Sequence, residues 1–447
     1  MQKELRLLVL YFAAIVALAG SAAAWWIHDG NRTPWIPPVV VPETREPDGR
    51  AFLMDALRLL EAAGPDPILA PVDTAKDRSE SRPAAKARRE LETRYRPVFE
   101  LVQQSLQRPF GPPAGPSANP ESSLTPKLGD LALLYREKIR LLIEEENLNA
   151  ALNAFLDLLE ISQRFINSGT REEARAGISA QGTLTNTFGP EIPLLAEAAT
   201  REELRHWESI IDRSVPFSSI LEWDATVRLH TMLSEFEAED WRRRFVRRHL
   251  DSNPALPGRE DGTARNTPLL DPLLEYWLMF RLHQGRLVAN TRKTRDRALE
   301  AVELPFAEGI RHWPVPGDGP NDRLARDFAD ADEIWLLFLH SRAVNRLLLT
   351  ALAVEKYRLT RKEYPDSSDA LSPENLKRVP LDPFSSDEPL RYRKLNNGFV
   401  IYSLGPDGID GGGETIRNED FPQEDPGRHS LTRDSRGEIT FKVTVPE

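Results

Sequence analysis

The chain has 447 residues, 40% of them hydrophobic and 28% charged, a composition typical of a folded protein with two or three domains. Its formal net charge of -11 argues against a general attraction to nucleic acid. Cysteine is absent, which excludes disulfides, thiolate zinc sites and cysteine nucleophiles.

The N-terminal segment has the pattern of a membrane anchor. Lys3 and Arg6 precede an uncharged, mostly apolar run from Leu7 to Ile27. As a helix this run would span roughly 30 Å, about the thickness of the hydrocarbon core of a bilayer. Trp25 and Trp26 stand at its far end, where indole rings favour the interface. Because cations tend to stay on the cytoplasmic side, we predict a single-pass anchor in the inner membrane with the main domain outside.

A cleaved signal peptide is the alternative interpretation of this segment. Its apolar region would run from Leu7 to Ala19, and the alanines up to Ala24 fit a small-residue cleavage site. We favour the uncleaved anchor because the apolar run continues through Trp26. Both interpretations place the protein in the periplasm of a bacterial envelope.

The anchor is predicted over residues 1–28, and the composition of the chain after it predicts two further regions. Residues 29–47 are rich in proline, which indicates an extended spacer. Residues 48–320 carry apolar residues at helical spacing, so we predict an irregular domain of helix hairpins. Within it Thr170, with Glu173 three residues later, predicts a helix N-cap. The predicted helical stretches are 52–60, 84–107, 128–213, 218–250 and 272–302, and the predicted loops are 109–126, 251–267 and 305–320.

Residues 321–447 are predicted to form a long helix followed by a small β module. The helix starts with a cap at Asn321 or Asp322 and reaches about Arg361. Two alternating strands, Leu390–Lys394 and Phe399–Ser403, flank Asn396-Asn397-Gly398, a strong hairpin signal. A third alternating stretch runs from Glu438 to Val445. The predicted fold class is therefore mostly α with a small C-terminal antiparallel β module (α+β).

Several short segments from residue 353 onwards occur in a characteristic order. They are Ala353–Tyr357, Tyr364-Pro365, Val379–Phe384, Leu390–Tyr392 and Tyr402–Gly408. In this order they resemble the C-terminal module of the major pseudopilins of type II secretion, and the similar C-terminal end of uncharacterised membrane-anchored bacterial proteins. The resemblance covers about residues 345–415 and leaves the N-terminal and central parts unmatched. It implies a long helix, a Tyr-Pro turn, a Pro-x-Asp-Pro step, a small antiparallel sheet and a calcium-binding Ser-Leu-Gly-x-Asp-Gly loop.

The segment from Gly405 to Asp425 is acidic and rich in glycine, with seven carboxylates opposed only by Arg417. Carboxylates on a flexible backbone suit a hard cation such as Ca²⁺. By the resemblance, the ligands are the Leu404 carbonyl and the Asp407 side chain, and Glu414 occupies a later acidic ligand position. Asp410 is added from the spacing alone. The alternative is a solvated acidic loop whose glycines serve turns.

The sequence holds no recognisable catalytic motif: no histidine pair at helical spacing, no Gly-x-Ser-x-Gly and no Walker A loop. We therefore predict a non-enzymatic, membrane-tethered scaffold or interaction protein whose protein partner is unknown. One alternative is a component of a type II secretion or pilus-like assembly. The other is an enzyme with an unrecognised site, which would need a cleft with a desolvated carboxylate beside His206, His230 or His312.

Overall fold

The structure is a computed structural model of the chain. It describes residues 48–64, 66, 85–110, 127–168, 170–245, 282–317, 322, 325–326, 329, 331–385, 387–416 and 431–444, without the side chains of residues 186 and 187. The predicted anchor and spacer, residues 1–47, lie outside these ranges. The predictions for that part of the chain remain expectations.

The described residues are mostly α-helical, with one three-stranded antiparallel sheet near the C-terminus, which confirms the predicted fold class. The helices, numbered in chain order, are α1 (Gly49–Ala63), α2 (Ala85–Arg94), α3 (Arg96–Leu106), α4 (Lys127–Glu144), α5 (Leu148–Asn167), α6 (Arg171–Phe188), α7 (Ile192–Ala198), α8 (Arg201–Asp212), α9 (Phe217–Phe236), α10 (Gln284–Val302), α11 (Phe306–His312) and α12 (Ala331–Arg361). The strands are β1 (Arg391–Leu395), β2 (Gly398–Ser403) and β3 (Ile439–Thr444).

The chain divides into two compact units. The larger unit comprises the described residues within Val40–Asp224, Leu299–His312 and Ala331–Glu447. The smaller unit comprises those within Ala225–Ala298 and Trp313–Asp330. The predicted boundary between residues 320 and 321 remains a prediction.

In the larger unit, α4, α5 and α6 pack against one another as consecutive antiparallel helices, as the apolar spacing of residues 128–213 predicts. Local caps set their ends. The Asn147 side chain accepts a hydrogen bond from the backbone N–H of Ala150, and Thr170 accepts one from that of Glu173 at 3.2 Å, so the predicted cap at Thr170 is confirmed. The Glu173 carboxylate instead bonds to Arg50 of α1, which ties the first helix to α6.

Helix α12 is the core of the larger unit. It packs against α6, α7 and α8 and against β2 and β3, and it ends at Arg361 as predicted. Two polar side chains within it form hydrogen bonds inside the core: Ser341 and Asn345, one turn apart, both donate to the Oε1 atom of Gln181 on α6. Buried polar groups that share an acceptor in this way fix the register of two packed helices.

The sheet has the order β1-β2-β3, with both pairs antiparallel. Leu395 pairs with Gly398 across the two-residue turn Asn396-Asn397, so the predicted hairpin is confirmed, with β1 one residue later than predicted. Strand β3 pairs with β2 on its other side, and all six residues of the central strand β2 are buried.

The predicted single helix over residues 84–107 is wrong, because the structure has two helices that meet at Tyr95. Pro97 lies in the first turn of α3 and cannot donate a backbone hydrogen bond. The prediction of a helix from about residue 218 to 250 also fails, because α9 ends at Phe236. Glu237, Glu239 and Asp240 follow directly, and carboxylates at a helix C-terminus oppose its dipole.

Two further boundaries differ from the prediction. Residues 306–312, predicted to lie in a loop, form the short helix α11, whose Phe306 packs against Trp335 at a ring distance of 4.7 Å. Helix α10 begins at Gln284, after Leu282 and His283, which are not helical. The region before residue 282, which includes the predicted start near Pro272, lies outside the described residues.

The smaller unit has its own apolar cluster. Its buried members are Leu229, Met232, Trp241, Phe245, Leu282, Leu287 and Val288. Within the basic run after Trp241, Arg243 and Arg244 are exposed, as expected for a solvated helix face. Arg242 differs, because its guanidinium lies 4.7 Å from the Trp241 ring centre and is partly buried.

Asp382 holds the C-terminal module together. Its carboxylate is buried and accepts hydrogen bonds from the Ser403 hydroxyl at 2.6 Å and the Leu404 N–H at 2.8 Å, which fastens the Pro-Leu-Asp-Pro step to the end of β2. The N–H of Phe384 donates to the same carboxylate at 3.0 Å, and Nη1 of Arg391 lies 3.5 Å from it. A carboxylate with this many donors cannot be removed without leaving several buried groups unpaired.

We expect Asp382→Ala to lower the free energy of unfolding by about 3–5 kcal/mol, because it breaks a buried charge-assisted network. Asp387→Ala, in the same turn but exposed, is the matched control and should change it by no more than about 0.5 kcal/mol. Urea unfolding of both variants measures the difference. Equal stability of the two variants would contradict the role given to Asp382.

Candidate functional site

The predicted calcium loop follows β2 directly and is closed by the start of β3. Gly405 has a φ of +74°, and a Cβ atom there would lie 2.3 Å from the Gly437 carbonyl oxygen. Glycine is therefore required at this position both by conformation and by the close approach of the two backbones. The glycine of the Ser-Leu-Gly sequence thus has a structural role independent of any ligand.

Two of the four predicted ligand residues, Leu404 and Asp407, lie at the start of this loop. The Leu404 N–H donates to Asp382. The Asp407 carboxylate accepts hydrogen bonds from the N–H groups of Ile409 and Gly437, both at 3.1 Å. Asp407 therefore joins the loop to the segment that leads into β3.

Asp410 is held by protein donors. Its carboxylate pairs with Nε of Arg391 at 2.8 Å and accepts from the Tyr402 hydroxyl at 3.2 Å and the Gly412 N–H at 2.9 Å. Burial by itself would raise the pKa of Asp410, but the hydrogen bonds from Gly412, Tyr402 and Arg391 outweigh burial and lower it. A cation at this carboxylate would have to compete with the arginine.

Glu414 is exposed, and its carbonyl accepts the N–H of Glu438 at 2.8 Å. Glu438 itself is fully buried: its Oε1 atom accepts a hydrogen bond from the Gly411 N–H, while Oε2 has no hydrogen-bond partner among the described residues. Sequence reasoning treated Glu438 only as the first residue of a strand. A carboxylate placed directly before an apolar alternating run was the signal that could have found it.

The four predicted ligand residues form hydrogen bonds with different partners. Within the described ranges, no group of three or more histidine, aspartate or glutamate side chains is arranged to hold a metal ion. Asp407 and Glu438 both bond to the backbone at the junction of the loop and β3, whereas Asp410 turns towards Arg391. The acidic residues 419–425 lie outside the described residues, and calcium binding remains a prediction.

A second cluster of titratable groups surrounds Asp157 on α5. Burial raises the pKa of this carboxyl to about 6, and Glu160 raises it too, against a hydrogen bond from Gln103 and the positive charges of Lys138 and His206, which lower it. Among the described residues, this is the one carboxyl whose pKa is clearly raised. Raised carboxyl pKa values often occur at functional sites, although structural clusters produce them too.

A surface cleft of about 500 Å³ adjoins this cluster, a size within the usual range for small-ligand pockets. Gln103 lines the cleft and donates its side-chain N–H to Asp157. Lys138 also lines it, with its ammonium 4.2 Å from the Phe99 ring centre, and burial lowers the pKa of this lysine. The remaining lining residues are Glu92, Thr93, Arg96, Phe99, Glu100 and Gln104.

The carboxylate closest to His206 is already neutralised. Nε2 of His206 lies 3.5 Å from Glu160, whose carboxylate also pairs with Arg164 at 2.7 Å and Arg213 at 3.4 Å. Arg164 in turn donates to the carbonyls of Ser105 and Leu106 at the end of α3. These contacts describe an ion-pair cluster that joins helices, so the arrangement does not by itself supply an acid–base pair for catalysis.

The chain matches no protein-family model, no curated protein and no solved structure. The resemblance of residues 345–415 to the major pseudopilins remains a prediction based on the segments quoted above.

We expect Asp157→Asn to stabilise the protein at pH 7.5 and to have no such effect near pH 4. Because the folded-state pKa is raised to about 6, the folded state holds this proton more tightly than the unfolded state. The charged carboxylate therefore costs stability above pH 6 and not below about pH 4. The gain is at most about 3 kcal/mol, since a tenfold change in proton affinity corresponds to about 1.4 kcal/mol.

Urea unfolding of both proteins at the two pH values measures this effect. The exposed Asp369→Asn is the control and should give no difference that depends on pH. A gain in the free energy of unfolding of the same size at both pH values would contradict a pKa of Asp157 raised by burial.

Proposed function

We propose that the chain is a membrane-tethered, extracytoplasmic scaffold that presents a rigid helical body to a protein partner. The observation that carries this proposal is the burial of α12. This helix is long and apolar enough to cross a membrane, but 72% of its most apolar window is buried inside the protein. A helix enclosed in this way serves as a core, so the run from Leu7 to Ile27 is left as the element for membrane attachment.

Buried ion pairs support the rigidity of the body. Arg171 and Asp224 pair at 2.7 Å with both side chains almost fully buried, and Arg88 pairs with Glu137 in the same environment at 3.4 Å. Separating the Arg171–Asp224 pair would pull apart two buried opposite charges, which costs several kcal/mol. Helices fixed to one another by such pairs keep a constant surface, as a binding scaffold requires.

The proposal includes a C-terminal loop stabilised by calcium. Its support is Glu438, whose buried Oε2 atom has no hydrogen-bond partner among the described residues. A hard cation is bound by carboxylate and carbonyl oxygens. Glu438, Asp407 and the Leu404 carbonyl would hold the ion, while Asp410 stays with Arg391. The bound ion would neutralise the charge of the carboxylates and close the loop onto β3.

A component of a type II secretion or pilus-like assembly is the second candidate function. The observation that favours it is the way in which the resembling segments contact one another. Glu355, buried in α12, accepts hydrogen bonds from Arg358 at 2.6 Å and from the Tyr364 hydroxyl at 3.2 Å, and Asp382 joins the next step to β2. Copurification with secretion proteins distinguishes this candidate from the first.

The tether can be tested by fractionation of a bacterial host that expresses the full chain. We expect the protein to stay with the membrane after alkaline extraction, and its body to be digested by protease added to spheroplasts. Val16→Lys combined with Leu18→Lys should abolish export, because each charge at the centre of a span costs about 2.5–3.5 kcal/mol.

The control for the tether is the same pair of substitutions in the spacer, Val39→Lys with Val40→Lys, which should leave the fractionation unchanged. A soluble, exported protein whose mass fits cleavage after Ala24 would replace the tether by a signal peptide. A parent protein protected from protease in spheroplasts would contradict the extracytoplasmic location.

The calcium proposal predicts that the melting temperature of the detergent-solubilised full chain, first treated with EDTA, rises when Ca²⁺ is added. Asp407→Ala and Glu438→Gln should both abolish this rise, whereas the exposed Asp369→Ala should preserve it. The absence of a rise in the parent protein would rule out calcium stabilisation. An unchanged rise in both site variants would place the ion elsewhere.

A further inference from the structure

Two arginines stand one turn apart on α12, Arg342 and Arg346, and neither has a carboxylate partner among the residues that the structure describes. Nη1 of Arg346 donates to the Leu381 carbonyl at 2.7 Å, and the Arg342 guanidinium lies 5.3 Å from the Phe338 ring centre. The Nε atoms of both arginines are buried and have no hydrogen-bond partner among the described residues. Each arginine therefore keeps one N–H donor that no acceptor in the described part of the chain receives.

A small cavity adjoins Arg346. Its volume is about 60 Å³, roughly twice the share of one water molecule in the liquid. Ile211, Leu349, Pro380 and Leu381 supply its apolar walls, and Glu208, Asp212, Lys377 and Arg378 supply its other charged groups together with Arg346. Lys377 and Arg378 are exposed, so they stand where a ligand from solvent would enter.

The two carboxylates at the cavity each contact another basic residue. Glu208 accepts the backbone N–H of Lys377 at 2.6 Å and pairs with Arg205 at 2.7 Å, so its charge is already engaged. Asp212 lies 3.7 Å from Arg378. No carboxylate among the described residues lies within ion-pair distance of Arg346 or Arg342, and positive charge is in excess.

The lowered pKa of Arg346 agrees with this excess of positive charge. Burial and the nearby positive charge of Arg342 lower the pKa of Arg346 to about 9, although Asp382 and Asp212 act in the opposite direction. Burial also lowers the pKa of Arg342. A buried cation without a partner is costly, so a bound anion would stabilise the folded chain.

We propose that this cavity binds a small oxyanion of the phosphate class. Arg346 lines the cavity with Arg342 one turn before it on α12, and the exposed Lys377 and Arg378 also line it. A guanidinium presents N–H donors in a planar fork that matches phosphate oxygens. The cavity volume limits the bound group to a single phosphate-sized head, which can be the free ion or the phosphate of a phospholipid headgroup.

The test is thermal unfolding of the full chain in detergent during titration with sodium phosphate, with ionic strength held constant by sodium chloride. We expect a saturable rise in melting temperature for the parent protein. Arg346→Gln should weaken the apparent affinity at least about tenfold, because a charge-assisted contact is lost. An unchanged melting temperature in the parent at all phosphate concentrations would overturn the proposal.

A second variant guards against a simple folding defect, since Arg346→Gln also removes the contact with the Leu381 carbonyl. Lys377→Gln changes an exposed residue and should weaken phosphate binding about threefold to tenfold while the melting temperature without phosphate stays the same. The control is Lys293→Gln, an exposed lysine on α10, which should bind like the parent. Parent-like phosphate binding in both Arg346→Gln and Lys377→Gln would overturn the site.

Two soluble probes separate the sources of the phosphate group. Glycerol 3-phosphate carries a phosphate monoester, and glycerophosphoglycerol carries the diester of a phospholipid headgroup. Tighter binding of inorganic phosphate or the monoester assigns the site to a small free ligand, and tighter binding of the diester assigns it to a lipid headgroup. Either order supports the site, provided that Arg346→Gln weakens the preferred probe.

Discussion

The need to enclose α12 governs the larger unit. A 31-residue helix with apolar residues around most of its circumference is stable in water only when other elements cover it. Helices α6, α7 and α8 cover part of it, and β2 and β3 cover another part. Gln181 on α6 fixes the register between α6 and α12 by accepting hydrogen bonds from Ser341 and Asn345. Within the larger unit, these helices and the sheet are therefore parts of one folded body.

The segment Pro380–Phe384 connects the two candidate sites. The Leu381 carbonyl accepts a hydrogen bond from Arg346 at the anion cavity. The Asp382 carboxylate accepts one from the Leu404 N–H at the start of the acidic loop. Adjacent residues of one turn thus carry a contact to each site. A shift of this turn would change both sites at once, which gives them a physical basis for coupling.

The sequence predicted the features that depend on neighbouring residues. The cap at Thr170, the turn at Asn396-Asn397 and the end of α12 at Arg361 each follow from signals within a few positions. The break at Tyr95 was also readable from Pro97, but the apolar spacing on both sides of it outweighed that signal. Short helices such as α11 are harder to predict, because contacts distant in sequence, such as Phe306 with Trp335, stabilise them.

The groups that carry the candidate sites could not be predicted in this way. The buried state of Glu438 depends on Gly411, and the raised pKa of Asp157 on burial against other helices. Arg342 and Arg346 appear in sequence as ordinary charged positions of a helix, and their buried Nε atoms, which have no hydrogen-bond partner within the described ranges, are a property of the packed structure. The two arginines would have a further consequence during export of the chain. If the chain is exported as we propose, α12 would enter the translocation channel as a helix that resembles a membrane span, because its best window has a mean hydropathy of 1.2. Two arginines near its middle raise the cost of lateral release into lipid, each by about 2.5–3.5 kcal/mol, and so favour complete passage of the chain.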